Sequence, residues 1–286
     1  MTQIAGLPHA TISKAVADAL SEDLGLVGDI TTNATIPETA RIRATITARQ
    51  AGIVSGIEVA HAAFSQINAG TKFHAAKHDG HAIAPGDGLA TITGPARAIL
   101  TAERVALNFM GRMSGIATLT RDYVNAIAHT KATIVDTRKT TPGLRAFEKY
   151  AVKCGGGGNH RFGLFDAVLI KDNHIAACGG IEQALKAAHK RAGHLVKIEI
   201  EVDTLKQLRE VDFAIADCVL LDNMSPEQLR EAVNYVNGHA LTEASGGVNI
   251  GTVAGIAQTG VDLISVGALT HSAPVLDLGL DFNTQE

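Results

Sequence analysis

Between Lys131 and Lys171 the chain places eight cations, Lys131, Arg138, Lys139, Arg145, Lys149, Lys153, Arg161 and Lys171, against three anions, Asp136, Glu148 and Asp166. The whole chain carries a formal net charge of −4, so a local excess of this sign points to a ligand rather than to the fold. Four consecutive glycines, Gly155 to Gly158, lie in the same stretch. Without Cβ atoms they let backbone approach a ligand closely, at an entropic cost that a plain loop rarely carries. The stretch therefore predicts a site for a small, multiply anionic molecule. Lys149 and Lys153 are assigned to a solvated charged face.

Other groups could share that site. Arg138 and Lys139 follow one apolar run of strand length, and Arg161 and Lys171 flank the next. Arginine offers a planar fork for carboxylate or phosphate, and lysine a compact charge. Glu201 and Asp222 end two further runs and could sit side by side. Two carboxylates facing a phosphate-rich substrate suit Mg²⁺, which takes a few protein oxygens together with phosphate oxygens and water. The competing reading is ion pairing with the cations across the rim. Ser245, Gly246 and Gly247, then Val266, Gly267 and Ala268, follow the last two runs, where barrels commonly take a phosphate on backbone N–H groups. Of His160, His174 and His271, His160 is the foremost candidate. His74, His78 and His81 resemble a metal cluster by number only, with no carboxylate or Cys partner at ligand spacing.

These residues need elements to position them. Apolar runs at 132–135, 167–170, 196–200, 218–221, 240–242 and 261–264 alternate with helical patterns, which predicts βα units and a parallel sheet. The runs end on Asp136, Lys171, Glu201, Asp222, Glu243 and Ser265, at steps of 21 to 35 residues. Polar residues at successive strand ends are what the active rim of a barrel requires, with a doubly wound open sheet as the alternative. Ser225, Pro226 and Gln228 form a capping box that opens a helix to Val236. Before residue 112 the pattern is α+β. It comprises helices at 9–20 and 57–68, an alternating strand at 41–49, short strands at 73–76, 81–84 and 89–93, and a helix from Gly94-Pro95 through Arg112. The predicted division is 1–111, 112–273 and a tail, 274–286.

Bulk properties exclude several classes. The 286 residues are 46% hydrophobic and 19% charged, enough for a substantial core. The acidic balance speaks against a nucleic-acid coat, and 4% aromatic content with no Trp supplies few stacking platforms. Cys154, Cys178 and Cys218 are odd in number and far apart, which suits reduced thiols. No signal peptide or membrane-spanning run is visible, so the expected compartment is the cytoplasm.

The motifs ERVALNFMGRMSGIAT, DTRKTTPGLRAFEKYAVKCGGGGNHR, FDAVLIKDNHI, LLDNMSPEQ, EASGG and GVDLISVGALTHS, in this order, resemble the quinolinate phosphoribosyltransferase family. The similarity runs from about Glu22 to Asp277. It implies an α/β fold: an N-terminal α/β sandwich, an incomplete, seven-stranded α/β barrel of TIM type, and a C-terminal tail returning to the N-terminal domain. The implied reaction joins quinolinate to phosphoribosyl pyrophosphate with Mg²⁺, releasing pyrophosphate and CO₂. Carried onto this chain, Arg138, His160, Arg161 and Lys171 would hold the carboxylates of quinolinate, and Arg104 would reach the same pocket from the partner of a homodimer, which could assemble further into a hexamer. Lys139, Glu201 and Asp222 would handle the pyrophosphate and the metal. Thr137, His271 and the loops at Ser245–Gly247 and Val266–Ala268 would complete the substrate site. Lys139, Lys171, Glu201 and Asp222 stand as the catalytic set. At Gly158 the family pattern leads to a bulkier residue, which predicts a looser loop here. Two other readings of the same cations are a Schiff-base aldolase using Lys171 or Lys139 and a non-enzymatic oxyanion binder.

Overall fold

The computed structural model describes residues 5–283. They form two compact units. Unit 1 takes the described chain up to Leu119, then Ala146–Gly156 and the chain from Ala273 onward. Unit 2 takes Thr120–Arg145 and Gly157–Ser272.

Unit 1 begins with α1 (His9–Leu24), α2 (Ile30–Thr35), β1 (Arg41–Ala48), β2 (Gly52–Ile53), α3 (Ile57–Ile67), β3 (Lys72–Ala75), β4 (Ala82–Ile83) and β5 (Gly88–Pro95). Alternation along β1 buries Ala44, Ile46 and Ala48 on one face, as period-two patterning requires. β1 pairs antiparallel with β5 and with the C-terminal strand Leu278–Asn283, the last element of the chain. β3 completes a four-stranded antiparallel sheet by pairing with β5. α1 buries Ile12, Val16 and Leu20, and α3 buries Val59, Ala60, Ala63 and Phe64.

α4 (Ala96–Ala126) runs 31 residues, beyond the expected end at Arg112, and the two units divide within it rather than at residue 111. Gly111 and Gly115 lie inside this helix, although each costs about 1 kcal/mol there relative to Ala. Their role is close approach. A Cβ on Gly115 would lie 1.9 Å from the carbonyl oxygen of Pro274, and the N–H of Leu276 donates to the Gly111 carbonyl at 3.0 Å.

The chain continues through β6 (Thr133–Val135) into α5 (Arg145–Gly155), most of which belongs to unit 1. Phe147 packs against Phe109 with tilted rings 5.4 Å apart, and Glu148, 1% exposed, accepts from Arg112 at 2.8 Å. Lys149 is fully buried, which corrects its assignment to a solvated face, whereas Lys153 is exposed. Phe147, Ala151, Val152 and Cys154 are buried on the same short segment. Burial pushes the Cys154 thiol up to about 12.

Unit 2 then adds β7 (Val168–Ile170), α6 (Asp172–Cys178), α7 (Ile181–Arg191), β8 (Ile198–Val202), α8 (Leu205–Leu208), β9 (Cys218–Asp222), α9 (Pro226–Val236), β10 (Leu241–Ser245), α10 (Val253–Ala257), β11 (Leu263–Ser265) and α11 (Ala268–His271). Its six strands are parallel, in the order β6-β11-β10-β9-β8-β7. The last strand of the series pairs with the first, so the sheet curls into a barrel, and its seam lies between β6 and β7, which no pairing joins among the described residues. In place of a seventh strand, a single parallel bridge joins Gly158 to Val135 beside β6. The Gly158 N–H donates to Ile134 at 2.7 Å and its carbonyl accepts from Asp136. A Cβ there would lie 3.1 Å from Val135 Cγ1, so glycine permits the approach and the loop is stitched rather than loosened. The chain ends in β12 (Leu278–Asn283), the C-terminal strand beside β1. The capping box forms at α9, with Ser225 Oγ accepting from the Gln228 N–H and Gln228 Oε1 from the Ser225 N–H.

Candidate anion-binding site

Strand alternation decides which side chains meet. On β8, Ile198, Ile200 and Val202 are buried on the helix side, which turns Glu199 and Glu201 toward the barrel interior. The same parity turns Leu220 and Asp222 of β9, Glu243 and Ser245 of β10, Ser265 of β11 and Leu169 of β7 inward. All of these except Glu199 line one cavity of about 430 Å³ at the carboxyl ends of the strands. Thr137, Arg138, Lys139, His160, Arg161 and Lys171 line it too. Nine of the residues singled out in the sequence are thus brought together: Thr137, Arg138, Lys139, His160, Arg161, Lys171, Glu201, Asp222 and Ser245.

The cavity is electrostatically open to anions. Among the described residues, Arg138 and Lys139 pair with no carboxylate, and Arg161 Nε is buried without a hydrogen-bond partner. Arg161 Nη1 reaches only the carbonyl of Ala167, at 3.3 Å. Desolvation, and then the neighbouring Arg138 guanidinium, draw the Arg161 pKa down. Two guanidinium groups held near each other with an unfilled donor form a site that an anionic ligand would relieve. Their loop is braced by Arg145, which donates to Thr140 Oγ1 at 2.9 Å and to the Phe162 carbonyl at 3.0 Å.

Lys171 Nζ is ion-paired with Glu201, and Asp222 accepts from the side-chain amide of Asn223 at 2.6 Å. Ion pairing across the rim is therefore what Glu201 does in this structure. The pair Glu201 and Asp222 still supplies only oxygen donors beside a cation-rich cavity, which is the donor chemistry Mg²⁺ takes together with phosphate oxygens. Lys171 is 44% exposed at its side chain and paired. A Schiff-base lysine instead needs a desolvated amine.

The glycine loops lie beside the lining rather than in it. Gly246 has φ +91°, and a Cβ there would fall 2.1 Å from Asn223 Oδ1. Gly247 also has positive φ. Val266 donates its N–H to the Val135 carbonyl at 2.9 Å. A Cβ on Gly267 would sit 3.0 Å from Lys139 Cδ and 3.3 Å from His271 Nε2. Thr270 Oγ1 donates to the Lys139 carbonyl at 2.7 Å, so α11, which Ala268 opens, steadies Lys139. Gly155 to Gly158 do not line the cavity; Gly155 ends α5 and Gly158 bridges to Val135 beside β6. Arg104 is an exposed residue of α4 in unit 1 and is not among the lining residues. His174 Nδ1 accepts the Lys171 N–H at 2.9 Å and so caps α6. His74, His78 and His81 gather no metal-type cluster. The cluster of that type among the described residues is His160, Glu199 and Glu243, of which Glu199 and Glu243 were not singled out from the sequence. Glu243 was noted only as a strand end, and parity along β8 and β10 was the signal that placed both inward.

Fold and site together define a barrel protein whose strand ends gather four cations around one cavity. Comparisons with known proteins narrow the class. Residues 29–114 match the N-terminal domain and 116–281 the C-terminal domain of quinolinate phosphoribosyl transferase. A Bacillus subtilis protein named probable nicotinate-nucleotide pyrophosphorylase [carboxylating] is 44% identical over 96% of this chain and 94% of its own. A Nicotiana tabacum mitochondrial quinolinate phosphoribosyltransferase [decarboxylating] is 43% identical over 97% of this chain and 84% of its own. The solved structure of the Francisella tularensis nicotinate-nucleotide pyrophosphorylase superposes with a TM-score of 0.92 at 38% identity, covering 99% of this chain and all of that one. The chain belongs to the quinolinate phosphoribosyltransferase family.

Proposed function

We propose that this protein transfers the phosphoribosyl group of 5-phosphoribosyl 1-pyrophosphate to quinolinate with decarboxylation, giving nicotinate mononucleotide, pyrophosphate and CO₂ for pyridine nucleotide synthesis. The observation that carries the reading is the cavity itself: four cations, one with an unfilled buried donor, beside two carboxylates at the strand ends. Arg138, Arg161 and Lys171 hold the two carboxylates of quinolinate over a floor set by His160. Lys139 faces the pyrophosphate, and the loops at Ser245–Gly247 and Val266–Ala268 receive the 5′-phosphate on backbone N–H groups. His271 supports the second loop from beside Gly267.

The chemistry asks for positioning and charge, not for a protein nucleophile. The pyridine nitrogen lone pair forms the bond to the ribose anomeric carbon as the bond to pyrophosphate breaks, leaving both electrons on the departing oxygen. Lys139 meets that developing charge, and Glu201 and Asp222 face the positive charge building on the sugar. Mg²⁺, held by Glu201 and Asp222, would neutralise pyrophosphate charge when bound. The alkylated ring nitrogen then accepts electron density as the adjacent carboxylate leaves as CO₂, and the ring carbon takes up a proton.

The working unit in this reading is a homodimer in which Arg104 enters the partner's cavity, with a hexamer as a further assembly. No helix among the described residues is long and apolar enough to cross a membrane, and the proposed compartment is the cytoplasm. The deciding assay follows CO₂ from carboxyl-labelled quinolinate. Release dependent on both phosphoribosyl pyrophosphate and Mg²⁺ supports the reading; tight binding of either substrate without release favours an oxyanion carrier.

A further inference from the structure

Below the cations, the barrel interior carries groups that the proposed reaction does not use. Glu199 lies one pleat beneath Glu201 on β8, and Glu243 one pleat beneath Ser245 on β10. His160 stands with Nε2 2.9 Å from Glu199 Oε2 and 3.7 Å from Glu243 Oε1. Its Nδ1 accepts the backbone N–H of Arg161 at 2.8 Å. A ring nitrogen that accepts carries no proton, so the single proton is on Nε2 and is donated to Glu199. Both ring nitrogens are thereby engaged inside the protein, and the ring is uncharged. The second oxygen of Glu199 accepts the thiol of Cys218 at 3.3 Å.

Glu243 is placed differently. It is 1% exposed, and its Oε1 has no hydrogen-bond partner. The groups facing it are Glu199 from β8, Cys218 from β9, Ser265 from β11, Asp136 at the end of β6, and His160. Two of these are acids, and the imidazole is neutral, so no cation is at hand to compensate a second buried carboxylate. A carboxyl group so placed takes up a proton instead. Desolvation first, then Glu199, push Glu243 up to about 8. His160, Glu199 and Glu243 also have the makeup of a transition-metal site. A metal on Nε2 would force the ring proton to Nδ1, against the Arg161 N–H, so the tautomer favours a proton over a metal.

We propose that Glu243 is a positioning residue that works as a neutral carboxylic acid. His160, with Nδ1 accepting the Arg161 N–H and Nε2 tied to Glu199, stays uncharged and fixed, and the neutral Glu243 adds no second negative charge to the floor beneath a dicarboxylate. The proposal rests on reading the cavity as the quinolinate site. When Glu243 ionises as pH rises, its new charge faces the substrate and weakens binding.

The test compares the full-length protein with Glu243→Gln. In ¹³C-carboxyl NMR of glutamate-labelled protein, the resonance lost in the variant is expected to stay protonated at about pH 7 and to titrate near pH 8. Ring ¹⁵N shifts of His160 are expected to report the neutral Nε2–H tautomer at about pH 7. The ratio of quinolinate KM to phosphoribosyl pyrophosphate KM is expected to rise about tenfold between about pH 7 and pH 9, the scale of one added like charge at close range. In Glu243→Gln that ratio is flat. A resonance titrating below about pH 6, an Nδ1–H tautomer, or stoichiometric Zn²⁺ binding abolished by Glu243→Gln would each overturn the proposal. If the glutamine variant does not fold, Glu243→Asp identifies the same resonance by its loss from the glutamate-labelled spectrum. The NMR readings need no substrate, so a neutral Glu243 in a protein that does not turn over quinolinate would overturn the functional reading and leave the charge state standing.

Discussion

Replacing Arg161 with alanine removes a guanidinium whose protein contacts are few: one 3.3 Å bond to the Ala167 carbonyl and a buried Nε with no partner. The side chain thus contributes little to the folded state and has most of its hydrogen-bonding capacity to give to a ligand. Losing the carbonyl contact costs about 0.5–1.5 kcal/mol of stability, a fall of about 1–6 °C in melting temperature if each kcal/mol is worth about 2–4 °C. Losing one partner of a buried charge pair with a substrate carboxylate costs about 2–5 kcal/mol. Arg161 is only partly buried, so the lower half of that range applies, about 2–3 kcal/mol, or about 30- to 150-fold in kcat/KM. The loss is expected in the quinolinate KM, with the phosphoribosyl pyrophosphate KM nearly unchanged. Steady-state kinetics varying each substrate at saturation of the other, with a thermal melt of the same preparation, separates the two effects. Quinolinate kcat/KM within about threefold of wild type, or equal losses for both substrates, would refute the assignment.

Asp222→Asn is expected to raise the Mg²⁺ concentration for half-maximal activity by about tenfold or more, the scale for losing one oxygen ligand's charge, about 1.4 kcal/mol or more. Titration of activity with Mg²⁺ at fixed substrate checks this, and an unchanged midpoint would remove Asp222 from the metal site. Mixing inactive Arg104→Ala and Arg138→Ala subunits is expected to restore part of the activity through hybrid dimers carrying one intact cavity. No recovery despite proven subunit exchange would show that Arg104 does not cross. Gly115→Ala is expected to destabilise unit 1 by at least the ~1–3 kcal/mol of an overpacked core, since its Cβ would fall 1.9 Å from the Pro274 carbonyl oxygen. Denaturant unfolding reads this, and a wild-type midpoint would mean the approach is not needed.

How much was legible before the fold was known depended on whether the governing interaction is local in sequence. The six barrel strands were readable because each is a short apolar run between turn signals, and the runs fall within a few residues of β6 to β11. Ser225 to Gln228 was readable as a helix start because a capping box is closed within four residues. Arg138, Lys139, Arg161, Lys171, Glu201 and Asp222 were readable as one site because they follow or end parallel strands, and parallel strands bring those ends to one rim. The amino-acid sequence by itself therefore determined the class of fold and the charge of the site.

What tertiary structure alone decided are contacts between residues far apart in the chain. The run of α4 past Arg112 was not legible, and the reason for Gly111 and Gly115 within it is a backbone segment some 160 residues later. Lys149 reads as a surface charge in its own segment, yet α5 buries it within unit 1. Glu199 and Glu243 look like ordinary strand acids, and only the register of β8, β9 and β10 turns both toward one imidazole. Alternation tells which residues share a face of a strand. It cannot tell what stands opposite that face, because the opposing group is set by closure of the sheet across the barrel, and that closure fixes which of two buried acids gives up its charge.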